Sequence, residues 1–165
     1  MESLGAPVRQ ASALAAITRR LTSMPEVLGA FLVGSMAAGA ADAASDIDLI
    51  VCAHPGRFDQ AWRLRNDLHA TGALICWDDG RESNHEIGVH RWVTTDVVLV
   101  EVLIATPGSG VRLAQPWKVI AGDASVAQLF PARPPIDRAE FDPAAAHPID
   151  RAFSELKAAL RHHAQ

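Results

Sequence analysis

Asp46 and Asp48 open the run DIDLIVCA, residues 46–53, whose other positions are all apolar. A strand through this run alternates faces. Both carboxylates then project from one side, and Ile47, Leu49 and Val51 project from the other into a core. Two like charges at that spacing repel, and a hard divalent cation held by oxygen donors is the natural counter-ion. Magnesium typically takes one or two carboxylates and completes its shell with substrate phosphates and water.

The preceding residues complement this pair. Residues 27–33, VLGAFLV, form a short apolar run that reads as a buried strand, and Gly34-Ser35 breaks it. Glycine lets the backbone approach a ligand closely, N–H groups at a turn opening a helix attract anions, and the serine hydroxyl adds a donor. Residues 35–44 are small and alanine-rich, suited to one or two helical turns and a loop. One segment therefore offers a phosphate cradle and a metal-binding carboxylate pair, a combination suited to phosphoryl or nucleotidyl transfer. Asp-x-Asp alone would read as a solvated strand edge with a turn-forming Ser-Asp. Its spacing from Gly34-Ser35 argues otherwise.

The rest of the chain reads as α/β, a mixed sheet flanked by helices. Pro7 opens a first helix in which Ala11, Leu14, Ile17 and Leu21 recur at helical spacing, with Arg19 and Arg20 in its last turn and Pro25 barring continuation. After Pro55-Gly56, the residues Phe58, Ala61, Trp62, Arg65 and Leu68 keep a helical period. Residues 73–77 read as a strand and Asp78-Asp79-Gly80 as a turn. Residues 86–93 and 97–105 read as an antiparallel hairpin around Thr94-Thr95-Asp96, and residues 117–121 as a final strand. One domain is expected over residues 1–130. A proline-rich connection and a C-terminal helix carrying Ile149, Phe153, Leu156 and Leu160 are expected over residues 131–165, packing on that same domain.

The motif GS-x-x-x-G…SDIDL, carried by Gly34, Ser35, Gly39, Ser45, Asp46, Ile47, Asp48 and Leu49, resembles the signature of the DNA polymerase beta-type nucleotidyltransferase superfamily, including its small stand-alone and antibiotic-modifying members. The resemblance implies a nucleotidyltransferase-like fold. It also implies that a nucleoside triphosphate is the co-substrate, with ATP a representative one, and that Mg2+ is the cofactor. Gly34 and Ser35 would bind phosphates, and Asp46 and Asp48 would bind metal. The family usually adds a third acidic residue on a later strand, which completes the metal site and takes the proton of the attacking hydroxyl. Glu101, inside the apolar run VVLVEVLIA, is the preferred candidate, because an acid there is costly without a cation. Asp96 is the alternative, although its turn explains it without function. Many relatives carry a basic residue between the Gly-Ser and the later glycine, where this chain has Met36, Ala37 and Ala38. Arg57, Arg63 or Lys118 are the candidates to replace it.

The formal net charge of -4 argues against a broad nucleic-acid surface, since phosphate contacts dominate such binding, but it leaves room for one nucleotide. Cys52 and Cys76 form no C-x-x-C pair and read as two buried small hydrophobes. With no signal-like segment and no apolar stretch of membrane-spanning length, a cytoplasmic setting without a membrane partner is expected. His85 to His90 has the wrong spacing for a zinc helix. The acidic residues Asp78, Asp79, Glu82 and Glu86 read as a solvated hairpin loop, and the tryptophans as core or rim packing.

The enzyme reading is transfer of a nucleoside monophosphate to a hydroxyl of an unidentified acceptor, a protein or a small molecule such as an aminoglycoside. Two alternatives keep the fold: an antitoxin that modifies or binds a protein toxin, and a non-catalytic nucleotide-binding module.

Overall fold

A computed structural model describes residues 8–82 and 85–132, together with the single positions 152 and 155. Its contacts fall into two units, Met1–Arg133 and Pro134–Gln165, the first of which holds the sheet. The expected C-terminal helix lies outside the described residues.

Helix α1 spans Val8–Thr22 and buries Gln10, Ala13, Ile17 and Leu21. That stripe is shifted from the expected one: Ala11 is exposed and Leu14 only half-buried. Strand β1 is Val27–Val33, and a single turn of helix, α2, follows at Gly34–Ala37. Strand β2 is Ile47–Ala53 and helix α3 is Phe58–Arg63, extended by a 3-10 turn at Arg65–Leu68. Strands β3 (Ile75–Glu82), β4 (Ile87–Val93), β5 (Leu99–Ala105) and β6 (Lys118–Gly122) complete the sheet, and a second 3-10 turn runs over Ala124–Leu129.

The six strands lie in the order β3-β4-β5-β2-β1-β6. Every neighbouring pair is antiparallel except β2 and β5, which run parallel. The sheet is therefore mixed, as expected. One face carries Leu32, Ile47, Leu49, Val51, Val100, Val102 and Ile104, packed against Ile17 and Leu21 of α1 and Phe58, Ala61 and Trp62 of α3. The other face carries Phe31, Val33, Ile50 and Cys52, partly covered by Val111, Leu113 and the 3-10 turn residues Val126 and Ala127. A central strand buried on both sides reads as a continuous apolar run, which is what residues 47–53 are.

Three local expectations need correction. Asp78-Asp79-Gly80 is no turn; β3 runs through it, and its register against β4 shifts between Asp78 and Arg81. Ion pairs described below hold the two aspartates in the strand. Strand β5 begins at Leu99, not Val97, because Val97 closes the hairpin turn with φ 59, a conformation costly for a β-branched residue. Thr94 N–H donates to Val98 O at 2.9 Å and Val97 N–H to Thr94 O at 2.9 Å. Cys52 is buried, which pushes its thiol up to about 12, whereas Cys76 is exposed. Among the described residues, no helix is long and apolar enough to cross a membrane.

Candidate functional site

The parallel β2–β5 ladder pairs Asp48 with Glu101. Directly paired residues share a face, so these two carboxylates stand side by side on neighbouring strands. The row continues in both directions. Val33 pairs with Asp48 across β1–β2, Arg91 with Glu101 across β4–β5, and Trp77 with Arg91 across β3–β4. The row lies on the sheet face opposite α1 and α3, because Val33 and Ile50 belong to the second core. Asp46 immediately precedes β2, and strand alternation assigns it the side of Asp48. Asp46, Asp48 and Glu101 are each half-buried.

Gly34 is built into this arrangement. It is exposed and has φ +69, and a Cβ added to it would lie 2.3 Å from Asp48 Oδ2. The backbone at the end of β1 thus passes directly against the Asp48 carboxylate, and only glycine leaves room for it. Ser35 follows at the start of α2, half-buried. Asp96 is exposed in the β4–β5 turn, two residues before Val98 and away from the row. Glu101 is therefore the later acid that the fold brings beside Asp48.

The cation that holds Glu101 is Arg91, which sequence reasoning did not single out. Its Nε donates to Glu101 Oε2 at 2.7 Å, and its Nη1 also pairs with Asp79. Its side chain is 15% exposed. The expected hairpin around Thr94-Thr95-Asp96 would have set residue 91 opposite residue 99; the longer turn, with Val93 opposite Leu99, sets it opposite Glu101. The three expected substitutes do not fit. Lys118 pairs with Leu32, which faces the helices, so it lies on the wrong side of the sheet. Arg57 follows the far end of β2, about 17 Å along the strand from Asp48 at the usual rise. Arg63 is exposed on α3, which packs on the other face.

The donor chemistry of Asp46, Asp48 and Glu101, all carboxylate oxygen, suits magnesium. Glu101 Oε2 is engaged by Arg91, and among the described residues no group of three or more His, Cys, Asp or Glu is drawn together at metal-ligand distances. Glu101 would reach such an ion through its other oxygen or by turning from Arg91 toward Asp48. A groove of about 430 Å³ is lined by apolar residues such as Leu113, Trp117 and Phe130 together with Gln115, Ser125 and Gln128, and none of the three acids lines it.

A second polar cluster sits on the helix side of the same strands. Arg65 Nε and Nη2 each donate to Asp78 at 2.9 Å. Asp78 Oδ1 lies 2.8 Å from His90 Nδ1, and His90 Nε2 lies 2.8 Å from His69 Nε2. Asp78 needs a proton from Nδ1, so His90 Nε2 accepts and His69 Nε2 donates. Burial lowers the His90 pKa against the opposing pull of Asp78. Burial, then the charges of His90 and Arg65, lowers that of His69. Burial alone would raise the Asp78 pKa, but the hydrogen bonds from Arg65 and His90 outweigh it and bring it below the usual value. The acidic residues 78, 79 and 86 are thus engaged with partners, with Glu86 accepting from the Thr106 hydroxyl, and do not form a solvated loop.

No protein-family model matches the chain, and no curated protein matches it.

Proposed function

We propose that the chain is a magnesium-dependent nucleotidyltransferase that moves a nucleoside monophosphate from a nucleoside triphosphate to a hydroxyl. The observation that carries this reading is the register pairing Asp48 with Glu101, with the Gly34 backbone packed against the Asp48 carboxylate. Two acids from separate strands and a glycine turn meet at one place, although they are far apart in sequence. The motif resemblance assigns the same residues the same roles.

In this reading Gly34 and Ser35 receive the triphosphate. Asp46, Asp48 and Glu101 hold magnesium, which neutralises phosphate charge when bound. The acceptor oxygen forms a bond to the α-phosphorus, and the bond from that phosphorus to the bridging oxygen of the β-phosphate breaks. Pyrophosphate leaves with the electron pair. Glu101 takes the hydroxyl proton. Arg91, released from Glu101, keeps Asp79 as its partner and supplies the positive charge missing from the Gly-Ser loop.

The test is incubation of the purified protein with magnesium, α-labelled nucleoside triphosphates, candidate acceptors and cell extract. Label transfer by the wild type and its loss in Asp48→Asn, with the circular dichroism unchanged, is the expected result. An Asp48→Asn protein that binds magnesium-ATP as well as wild type overturns the metal assignment. Binding without any transfer would favour a nucleotide-binding module.

A further inference from the structure

We infer that Gln10 is a positioning residue for the Asp46–Asp48 pair, an inference that rests on the nucleotidyl-transfer reading of the site. Gln10 heads the buried stripe of α1 and is 1% exposed. Its Nε2 reaches the carbonyl oxygens of Ala43 at 3.1 Å, Ser45 at 3.1 Å and Asp42 at 3.5 Å. Three carbonyls can only accept, so the amide nitrogen must face them. The amide oxygen then lies buried, with no hydrogen-bond partner among the described residues.

That orphaned oxygen is the informative part. Leucine or methionine at this core position above Ala13, Ile17 and Leu21 would bring no buried polar atom of its own, but would take the donor away from the Ala43 and Ser45 carbonyls. A glutamine here makes sense through the turn it grips. That turn is already closed on itself. Asp42 N–H donates to Ser45 Oγ at 2.8 Å, Ser45 Oγ donates to Asp42 Oδ1 at 2.9 Å, and Ala44 N–H donates to the same oxygen at 3.0 Å. Gln10 fastens the closed turn to α1. Arg9 adds a contact from outside, donating to Ala43 O at 3.3 Å and to Asp96 O at 3.2 Å.

The Ser45 carbonyl belongs to the same planar peptide unit as the Asp46 N–H. Holding that oxygen fixes the plane from which Asp46 departs, two residues before Asp48, and with it the start of β2. Transfer chemistry is sensitive to displacements of about 1 Å, and an unfastened turn of small residues would allow them.

Two variants test this. Gln10→Met keeps the shape and removes the donors. Gln10→Glu is isosteric; facing three carbonyls in the core, its carboxyl stays protonated and donates one bond. The readouts are amide hydrogen exchange over residues 42–48, the affinity for magnesium-ATP, and the magnesium concentration needed for half-saturation. Gln10→Met should speed exchange in that segment and leave the rest of β2 protected. It should also weaken magnesium-ATP binding and raise the magnesium requirement, each on the order of tenfold, as expected for the loss of one or two hydrogen bonds. Gln10→Glu should fall between it and wild type, and keeps the experiment decisive if the methionine variant does not fold. Variants that exchange and bind like wild type overturn the role of Gln10 alone. A wild type that binds no magnesium-ATP overturns the reading of the site.

Discussion

Gly34 and Gly39 form a matched pair that separates backbone strain from a steric effect on the site. Both have positive φ, +69 and +71, but a Cβ at Gly39 meets nothing within 4 Å, whereas one at Gly34 lies 2.3 Å from Asp48 Oδ2. Placing alanine in the left-handed region costs about 1–2 kcal/mol, so each variant should lose that much stability and roughly 2–8 °C in melting temperature. The collision at Gly34 adds little to this loss. The atom struck is the end of a half-exposed carboxylate, which escapes by rotating. The rotation is the functional injury, because it carries the oxygen away from the edge shared with Glu101. Gly34→Ala and Gly39→Ala should therefore melt within about 1 kcal/mol of each other, while only Gly34→Ala loses magnesium-ATP affinity, by at least tenfold. Denaturant unfolding and calorimetric titration on the two variants and wild type measure both quantities. Equal affinity in the two alanine variants would falsify the claim that the Gly34 backbone shapes the Asp48 site.

Glu101→Gln should cut turnover on the order of a hundredfold or more while weakening magnesium-ATP binding much less. Its stability cost should stay at about 1 kcal/mol or below, because the lost ion pair to Arg91 involves a side chain 38% exposed; single-turnover rates that match wild type would remove Glu101 from the chemistry. The pH dependence of stability follows from His69 and His90, whose pKa values are both lowered on folding. The unfolded chain then binds more protons as pH falls, so their contribution is full above about 6.5 and fades as pH drops toward the folded values. The denaturant midpoint should decline between pH 7.5 and 5 and decline less in His90→Gln, and a midpoint flat over that range in wild type would contradict the assignment.

How much of this was legible in the sequence depends on whether a feature is local. Residues 46–53 announced a strand with two acids on one side because alternation is a property of the strand itself. The hairpin around residue 95 was visible from β-branched runs on either side of polar turn residues. Glu101 drew notice as an acid in an apolar run, and the parallel pairing of β2 with β5 then set it beside Asp48. Arg91 was missed because its importance comes from cross-strand register, and Gln10 because a polar residue reads as surface until its partners are known. Val97 misled in the opposite direction. Its β-branched side chain favours strand, but the turn needed one residue at positive φ, and closing the hairpin prevailed over local preference.

The alternation along β3 and β4 also explains why two ionic clusters coexist within so few residues. His90 pairs with Val102, which faces the helices, while Arg91 pairs with Glu101 on the opposite face. Asp78 and Asp79 divide in the same way, one bonded to His90 and the other to Arg91. A slip of the hairpin by one residue would exchange the faces. Arg91 would then enter the apolar layer around Trp62 and Val102 without a carboxylate, and His90 would lose Asp78. Burying an unpaired guanidinium costs several kcal/mol, more than either pair contributes in the correct register. These ion pairs thus act chiefly by making every neighbouring register unfavourable. The register they protect is the one that sets Glu101 opposite Arg91 and, through β5, beside Asp48. A sheet built only of valine and isoleucine on these strands would pack as well in several alignments, and the two carboxylates would then have no fixed relation to each other.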